Sequence, residues 1–350
     1  MRGDVKAKGA IAASAVLDRN VRPVNAYVLA GSRWQARKVA VIDVDGLLVN
    51  GNLTGPQSMG ENPVSLFREK LDAADADPCV VAVVLRINSP GGSVAATDMM
   101  RHDLVEFRRR TGRPVVACLM DVGAGGAYYL ASAADAVYAG PSTVTGGLGV
   151  ILNLYDLEKV DVDEEDNSGQ LALELPPVAQ RAIRSGEMVD MGSPLRGLES
   201  QEQKVLEGIA SEYHHLLRST IVESRPQIVE QLPGGRPRNP QETNATAFAG
   251  TVFDGRVFTT EQAIEQGLVD HVGYLDEAIA AAKQLGGVSE AKTVMYRRSN
   301  DRALTSYDIT QNTPGTGASP LSIPGSQRAE LPLFLYLWQP EPLYEKNGGP

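Results

Sequence analysis

Residues 79–94 read CVVAVVLRINSPGGSV, and this stretch decides the fold class. Its first part, 79–87, is a near-continuous run of apolar and mostly β-branched side chains, which is typical of a parallel strand buried on both faces. The segment Ser89–Gly92 then predicts a turn. Ser93 or Thr97 is in position to cap the helix that follows. A buried strand, a turn and a helix in this order indicate an α/β protein.

The flanking sequence repeats this pattern on both sides. KVAVIDVDGLL at 38–48 and VVACLM at 115–120 predict two further strands, and SLFREKLDAADAD at 65–77 predicts the helix that joins the first two. Small residues at 124–134 predict another helix. An amphipathic pattern predicts a long helix over 199–225. Strand–helix–strand repeats of this length imply right-handed βαβ units and a mostly parallel sheet.

Three ordered motifs resemble the signal peptide peptidase A family of serine–lysine proteases. They are LRINSPGGSV at 85–94, RPVVACLMDVGAGGAYYLASAADAVYAGPSTVTGGLGV at 113–150 and TVFDGRVFTTEQAIEQGLVDHVG at 251–273. The resemblance extends over about residues 38–285. It implies a Clp-protease/crotonase-like spiral of ββα units with a mostly parallel sheet.

The chain departs from that family at the nucleophile. In the family, the loop that corresponds to DVGAGGAYY carries the catalytic serine in an Ala-Ser-Gly-Gly-Tyr run. This chain has Gly125 at the serine position, and residues 121–131 contain no serine. Glycine has no side chain and cannot form an acyl-enzyme, so the resemblance implies a protease scaffold without its nucleophile.

The general base is also missing. In the family a lysine follows a Ser-Gly pair, whereas here Ser185 and Gly186 are followed by Glu187. Arg184 is close, but a guanidinium stays protonated in proteins and cannot act as a base. A serine nucleophile and its activating base act as a unit, so the paired loss predicts that covalent catalysis is absent.

Backbone groups of the site remain. Gly91 and Gly92 can aim amide N–H groups at a carbonyl oxygen, as an oxyanion hole does, and the amide of Gly125 is the expected second donor. With Gly126, these glycines form the predicted peptide-binding site. The leading hypothesis is therefore an inactive family member that holds a peptide without cutting it.

Two alternatives stay open. The first is an active serine peptidase that cleaves membrane or signal peptides with a relocated nucleophile. The candidate nucleophiles are Ser93, Cys118 and Ser132. Glu187 would act as the base only if desolvation raised its pKa. The second is crotonase-type acyl-CoA chemistry, in which oxyanion-hole amides act without a serine. It needs a carboxylate over the site, from Asp121 or Glu187, and the motif at 251–273 argues against it.

Composition and resemblance together suggest the partners. The 350-residue chain has a net charge of −10, which disfavours nucleic acid as a partner. Its four histidines and two cysteines show no metal-ligand spacing, and no cofactor is predicted. The resemblance implies a homo-oligomeric ring with the 199–225 helix as a contact. A peptide or unfolded segment is the expected ligand, and an active paralogue is a possible partner.

The predicted organisation is a single large domain with extensions. An N-terminal extension covers 1–36, and the domain covers 37–290 with an insertion at 161–180. The C-terminal tail covers 291–350 and contains a Pro- and Gly-rich linker at 313–327.

Neither apolar end segment is long enough to span a bilayer. Residues 9–17 form a short alanine-rich stretch, and LPLFLYLW at 331–338 is also too short. The latter is expected to dock in a groove or on a neighbouring subunit. A cytoplasmic location is predicted, with a periplasmic or membrane-peripheral one as the alternative.

Overall fold

The computed structural model describes residues 23–52, 61–154, 185–186, 188–193, 197–231, 249–298, 305 and 334–338. The insertion predicted at 161–180, the linker at 313–327 and Glu187 lie outside these residues. The strands are β1 (Asn25–Ala30), β2 (Lys38–Leu48), β3 (Val80–Ser93), β4 (Val115–Ala124), β5 (Ala136–Ala139), β6 (Val144–Gly146), β7 (Ile151–Leu152), β8 (Val257–Thr259), β9 (His271–Val272), β10 (Lys292–Arg297) and β11 (Phe334–Leu337). The helices are α1 (Pro63–Ala76), α2 (Val94–Thr111), α3 (Gly126–Ala131), α4 (Ser200–Ser224), α5 (Thr260–Glu265) and α6 (Leu275–Leu285), with a 3-10 helix at Pro226–Gln231.

One sheet organises the molecule, in the order β1-β10-β2-β3-β4-β5-β9. Neighbours from β10 to β9 are parallel, and only β1 pairs antiparallel along this path. The carboxyl ends of β3 and β4 also pair with β11 and β6, which adds a second, smaller set of strands. The predicted α/β fold with a mostly parallel sheet is confirmed.

The sheet is buried on both faces, as the apolar run predicted. Alternate residues of β2 point to opposite faces. Ala40 and Ile42 pack in a core with side chains of α1, α2 and α3. Val39 and Val41 pack in a second core with side chains of α6. The central strand β3 contributes fully buried residues to both cores, because helices cover the sheet on each side.

Two ion pairs are buried in this frame. Lys70 of α1 donates to Asp43 of β2 at 2.6 Å, with side chains only 1% and 2% exposed. Arg86 of β3 pairs with Asp45 of β2, and both side chains are buried. Removing one partner of such a pair leaves an uncompensated buried charge. The pairs therefore tie α1 to β2, and β2 to β3, in one arrangement.

The turn predicted at Ser89–Gly92 is wrong, because β3 continues through these residues to Ser93. Gly91 adopts a φ of 108°, which a glycine reaches without steric cost. After an irregularity in register the ladder to β2 resumes, with Leu47 opposite Gly91 and Leu48 opposite Gly92. The glycines thus absorb the irregularity and let pairing continue.

The sheet also extends beyond the predicted domain of 37–290. Strand β1 comes from the predicted N-terminal extension, while β10 and β11 come from the predicted C-terminal tail. The helix predicted at 199–225 is confirmed as α4, and the one predicted at 124–134 is the shorter α3. Within the described ranges, no helix is long and apolar enough to cross a bilayer.

Candidate functional site

The site lies where β4 ends and α3 begins, around Gly125. This residue has φ 54° and ψ −124°, a conformation in which side chains are strained. Sharp strand-to-helix turns of this kind hold the nucleophile of many hydrolases above the sheet. Gly125 therefore lies in a sharp strand-to-helix turn and carries no side chain.

The predicted oxyanion donors are largely paired within the protein. The N–H of Gly125 donates to the carbonyl of Gly146 at 2.9 Å, as part of the pairing of β4 with β6. The N–H of Gly91 donates to Oγ of Ser89 at 3.1 Å. The amides of Gly91 and Gly125 are thus not a free pair of donors, which corrects the expectation from sequence.

Gly92 and Gly126 have different roles in the site. A Cβ atom on Gly92 would lie 1.9 Å from the carbonyl oxygen of Leu48, so this glycine permits close approach of β2 and β3. Gly126 opens α3, and first-turn N–H groups have no acceptor within their own helix. Of the four predicted glycines, Gly126 is the one placed as a donor by helix geometry.

A strand from the same chain lies over these glycines. Strand β11 pairs antiparallel with residues 91–93 of β3 and with β7. A Cβ on Gly125 would lie 2.5 Å from the carbonyl oxygen of Tyr336 and 2.8 Å from its carbonyl carbon. A Cβ on Gly91 would lie 2.0 Å from the same oxygen. The Tyr336 carbonyl therefore lies directly against Gly125 and Gly91. The segment LPLFLYLW was predicted to dock in a groove or on a neighbouring subunit. Its described residues, 334–338, lie in a groove of the same chain.

Aromatic residues form the pocket beneath this carbonyl. The side chain of Tyr336 is fully buried, and its hydroxyl donates to the backbone carbonyl of Tyr213 at 2.6 Å. Its ring lies 5.6 Å from that of Tyr129, at an interplanar angle of 55°. Burial raises the pKa of Tyr336 and raises that of Tyr129 to about 12, so both phenols are neutral donors. Tyr129 in turn donates to Asp98 at 2.8 Å.

None of the three candidate relocated nucleophiles is positioned for attack. Oγ of Ser93 accepts the N–H of Ala96 at 3.1 Å and caps α2. Cys118 is 1% exposed, and burial raises the pKa of its thiol to about 12, which keeps it protonated. Ser132 is buried and donates to the carbonyl of Tyr129 at 2.8 Å. Each side chain has a structural role.

The candidate carboxylates give no catalytic arrangement among the described residues. Asp121 is exposed on β4, and Glu187 lies outside the described residues. The structure therefore brings Gly91, Gly92, Gly125 and Gly126 together but does not relate them to Glu187.

Tyr129 and Tyr336 are the site residues that the sequence did not single out. Both lie in segments that were recognised, the 113–150 motif and the apolar 331–338 stretch. Tyr129 follows the nucleophile loop directly, which is the available signal for it. For Tyr336 the only signal is its central place in a short apolar segment near the end of the chain.

Several comparisons with known proteins point to the same family of peptidases. Residues 107–234 match the model of peptidase family S49. The chain is 28% identical over 305 residues to Protease 4 of Salmonella typhi, covering 87% of this chain and 42% of that protein. It is 24% identical over 261 residues to a putative signal peptide peptidase SppA of Enterococcus faecium, covering 75% and 67%. The chloroplastic serine protease SPPA of Arabidopsis thaliana is 30% identical over 274 residues, covering 76% and 34%.

The chain thus spans less than half of the Salmonella and Arabidopsis relatives. Among solved structures, it is similar to a mutant of the 1510-N membrane-bound stomatin-specific protease in complex with a substrate peptide. That likeness has 13% identity and a TM-score of 0.39, and it covers 71% of this chain and 80% of the other.

Proposed function

The chain belongs to the signal peptide peptidase A family of S49 peptidases, and we propose that it is a non-catalytic member that binds extended peptide segments. The observation that carries this proposal is Gly125, which has the backbone of a nucleophile turn and no side chain. A peptide carbonyl lies against it, so the position accepts a peptide bond and offers no hydroxyl to attack it.

The neighbouring side chains support the proposal that the protein does not catalyse peptide hydrolysis. A relocated serine or cysteine would need access to a substrate and a base within hydrogen-bond reach. Ser93 and Ser132 are 2% and 1% exposed, and both are engaged with backbone groups. The Cys118 thiol is buried and protonated. Among the described residues, no observation favours an active peptidase or a crotonase-type enzyme over a binding protein.

The groove itself supports peptide binding. Residues 91–93 at the end of β3 accept an antiparallel strand, which is a common mode of peptide recognition. Main-chain pairing provides affinity that does not depend on sequence, and pockets for alternate side chains provide selectivity. The buried pocket beside Tyr129 is such a selective element, because it takes a large aromatic side chain with a polar tip.

Peptide turnover tests this proposal. The purified full chain is compared with the Gly125→Ser, Glu187→Lys double variant on unstructured apolar peptides, together with a fluorophosphonate probe that labels reactive serines. We expect no turnover and no labelling of the wild type. Turnover by the double variant would indicate a cleft that lacks only its two catalytic side chains.

Gly112 offers a matched control for this experiment. It also has a positive φ, 66°, but a Cβ there would meet nothing within 4 Å. Gly112→Ser with Glu187→Lys therefore adds the same two side chains without a serine in the groove, and we expect it to be silent. Hydrolysis by the wild type that survives rigorous purification would overturn the proposal.

We further propose that the chain acts as a homo-oligomer, alone or beside an active paralogue. The support is α4, which leaves Val205 and Leu216 each 41% exposed although the helix is amphipathic. Eleven residues apart on a helix, the two side chains share a face. Sedimentation velocity of the full chain tests this. A sedimentation coefficient that corresponds to a monomer at every concentration would contradict it.

A further inference from the structure

A pocket of about 450 Å³ opens between the first halves of α1 and α2, beside the end of β2. None of the four glycines of the candidate site lines it. We propose that this pocket binds a protonated primary amine that is carried on an apolar chain. This class includes the side chain of a lysine in a polypeptide and a free alkyl amine. The inference goes beyond the proposed function, because it assigns a ligand to a part of the surface that the groove does not include.

Two helices and the segment that follows β2 supply the walls of this pocket. The side chains on which the inference depends are Asn50, Val64, Arg68, Asp98, Met99 and Asp103. Within each helix, members that are four residues apart lie on one face. Asn62 joins two of the walls, because its Oδ1 accepts the N–H of Val64 at 3.0 Å and its Nδ2 donates to Oδ1 of Asn50 at 2.8 Å. The residue that caps α1 thus also holds the segment after β2.

Carboxylates give the pocket a net negative charge. Asp98 and Asp103 line it, and with His102 neutral, Arg68 is the only cation among the described residues that line it. Two carboxylates and one guanidinium sum to a net charge of −1. Arg68 donates to Asp103 at 2.6 Å and to Asp72 at 3.2 Å, so its charge is paired twice within the protein. A cation is therefore the kind of ligand that this pocket attracts.

Asp98 is the carboxylate that is placed to receive the amine. It is exposed, and one of its oxygens accepts the hydroxyl of Tyr129 at 2.8 Å. Burial raises the pKa of Tyr129 to about 12, so this hydroxyl stays a donor and orients the carboxylate. The neighbouring Arg101 donates to Ser224 of α4 and does not line the pocket. Because a carboxylate has about four sites that accept hydrogen bonds, Asp98 keeps acceptor sites for an ammonium group.

Apolar side chains in the same pocket fit the chain that carries the amine. Met99 is 45% exposed, and its sulfur lies 3.8 Å from Nδ2 of Asn50. Val64 lines the pocket from α1. A flexible thioether adapts its shape to an alkyl chain, and a lysine side chain combines such a chain with a compact charge. An anion would face the carboxylates, and an uncharged apolar molecule would give them no counter-charge, so an amine on an apolar chain fits best.

Nuclear magnetic resonance of the full chain with isotope-labelled methionine methyl groups tests this inference. N-acetyl-lysine methylamide presents a lysine side chain as a polypeptide does, and pentylamine presents a free amine. N-acetyl-norleucine methylamide has a similar apolar chain without the charge and is the control compound. We expect both amines to shift the methyl signal of Met99 and to leave that of Met295, which is fully buried in the second core, unchanged. The norleucine compound should shift neither signal.

Two variants of α2 locate the charge on which binding depends. Asp98→Asn keeps the shape of the side chain and removes its charge, and it should weaken the binding of both amines about fivefold, the upper range for an exposed ion pair. Glu106→Gln is the matched control, since it removes the same charge from the same helix at a residue outside the pocket. It should bind the amines as the wild type does. Circular dichroism checks that each variant is folded.

The outcomes decide both the inference and the source of the ligand. Binding of both amines supports the shared chemistry, binding of the lysine compound alone assigns the pocket to a polypeptide side chain, and binding of pentylamine alone assigns it to a free amine. The inference is overturned if neither amine shifts the Met99 signal or if the norleucine compound shifts it equally. Equal weakening by Asp98→Asn and Glu106→Gln would also overturn it, because the effect would then be one of net charge.

Discussion

Helix α3 and strand β11 each bury a tyrosine, and the two are held in different ways. Tyr128 belongs to α3, is fully buried and donates its hydroxyl to the carbonyl of Leu268 at 2.7 Å. Tyr336 belongs to β11, is equally buried and donates to the carbonyl of Tyr213 at 2.6 Å. By burial and hydrogen bonding the two side chains are equivalent.

Their connections differ. Helix α3 follows directly from β4 and contacts the central strand β3, so Tyr128 cannot leave its site while the sheet is intact. Strand β11 has four residues and pairs through short ladders with β3 and β7. Parts of a protein open with free energies from near zero up to that of global unfolding. Two equally buried residues can therefore differ in how firmly they are tied to the fold, and the difference lies in their connections to the sheet.

The largest expected effect separates the two tyrosines. Tyr128→Ala should lower the free energy of unfolding by about 3–5 kcal/mol, as for other large aromatic residues in cores. Tyr336→Ala should lower the free energy of unfolding by less than Tyr128→Ala does. The loss is limited because β11 can leave while the rest stays folded. Urea denaturation of both variants measures this, and equal losses would make β11 an integral part of the fold.

A double-mutant cycle between Gly125 and Tyr336 gives a smaller effect. Gly125→Ala ejects β11 in the wild type, but in Tyr336→Ala the strand is already undocked and only backbone strain at residue 125 remains. We expect a coupling free energy of about 1 kcal/mol, which is in the range for residues in contact. Gly112→Ala changes another positive-φ glycine with open space around it and should show no coupling to Tyr336.

The sequence predicted the central frame because its signals are local. The apolar run at 79–87 needs no partner to be recognised as a doubly buried strand, and β3 confirms it. The amphipathic pattern at 199–225 likewise predicts α4 without knowledge of what it packs against. The fold class followed from such segments together with the ordered motifs.

The features that were missed depend on contacts between distant segments. Nothing near Gly125 indicates that its N–H is taken by Gly146, because that bond belongs to the pairing of β4 with β6. Strands β1 and β10 have six residues each and pair with each other although they are far apart in the sequence. A glycine pair after Pro90 is typical of a turn, and only the ladder with Leu47 and Leu48 explains why β3 continues.

The smallest expected effect is a pH dependence of stability. It tests whether helix α4 stays in place when strand β11 is lost. His214 follows Tyr213, and its Nε2 lies 2.9 Å from the carbonyl of Phe253. Burial lowers the pKa of His214, and the nearby Arg218 lowers it further, although hydrogen bonds to backbone carbonyls oppose this. The folded state therefore favours the neutral imidazole. Stability from this group is complete above the pKa of an unfolded histidine, about 6.5, and falls as pH drops below it.

His214→Gln should flatten the fall in unfolding free energy between about pH 7 and pH 5, relative to the wild type. His215→Gln is the control, since His215 is exposed on the same helix. An unaltered slope in His214→Gln would contradict the lowered pKa. Because Nε2 of His214 bonds to the carbonyl of Phe253, we expect Tyr336→Ala to keep the wild-type slope. If Tyr336→Ala lost that slope, the packing of α4 would depend on β11. The two elements would then unfold as one cooperative unit.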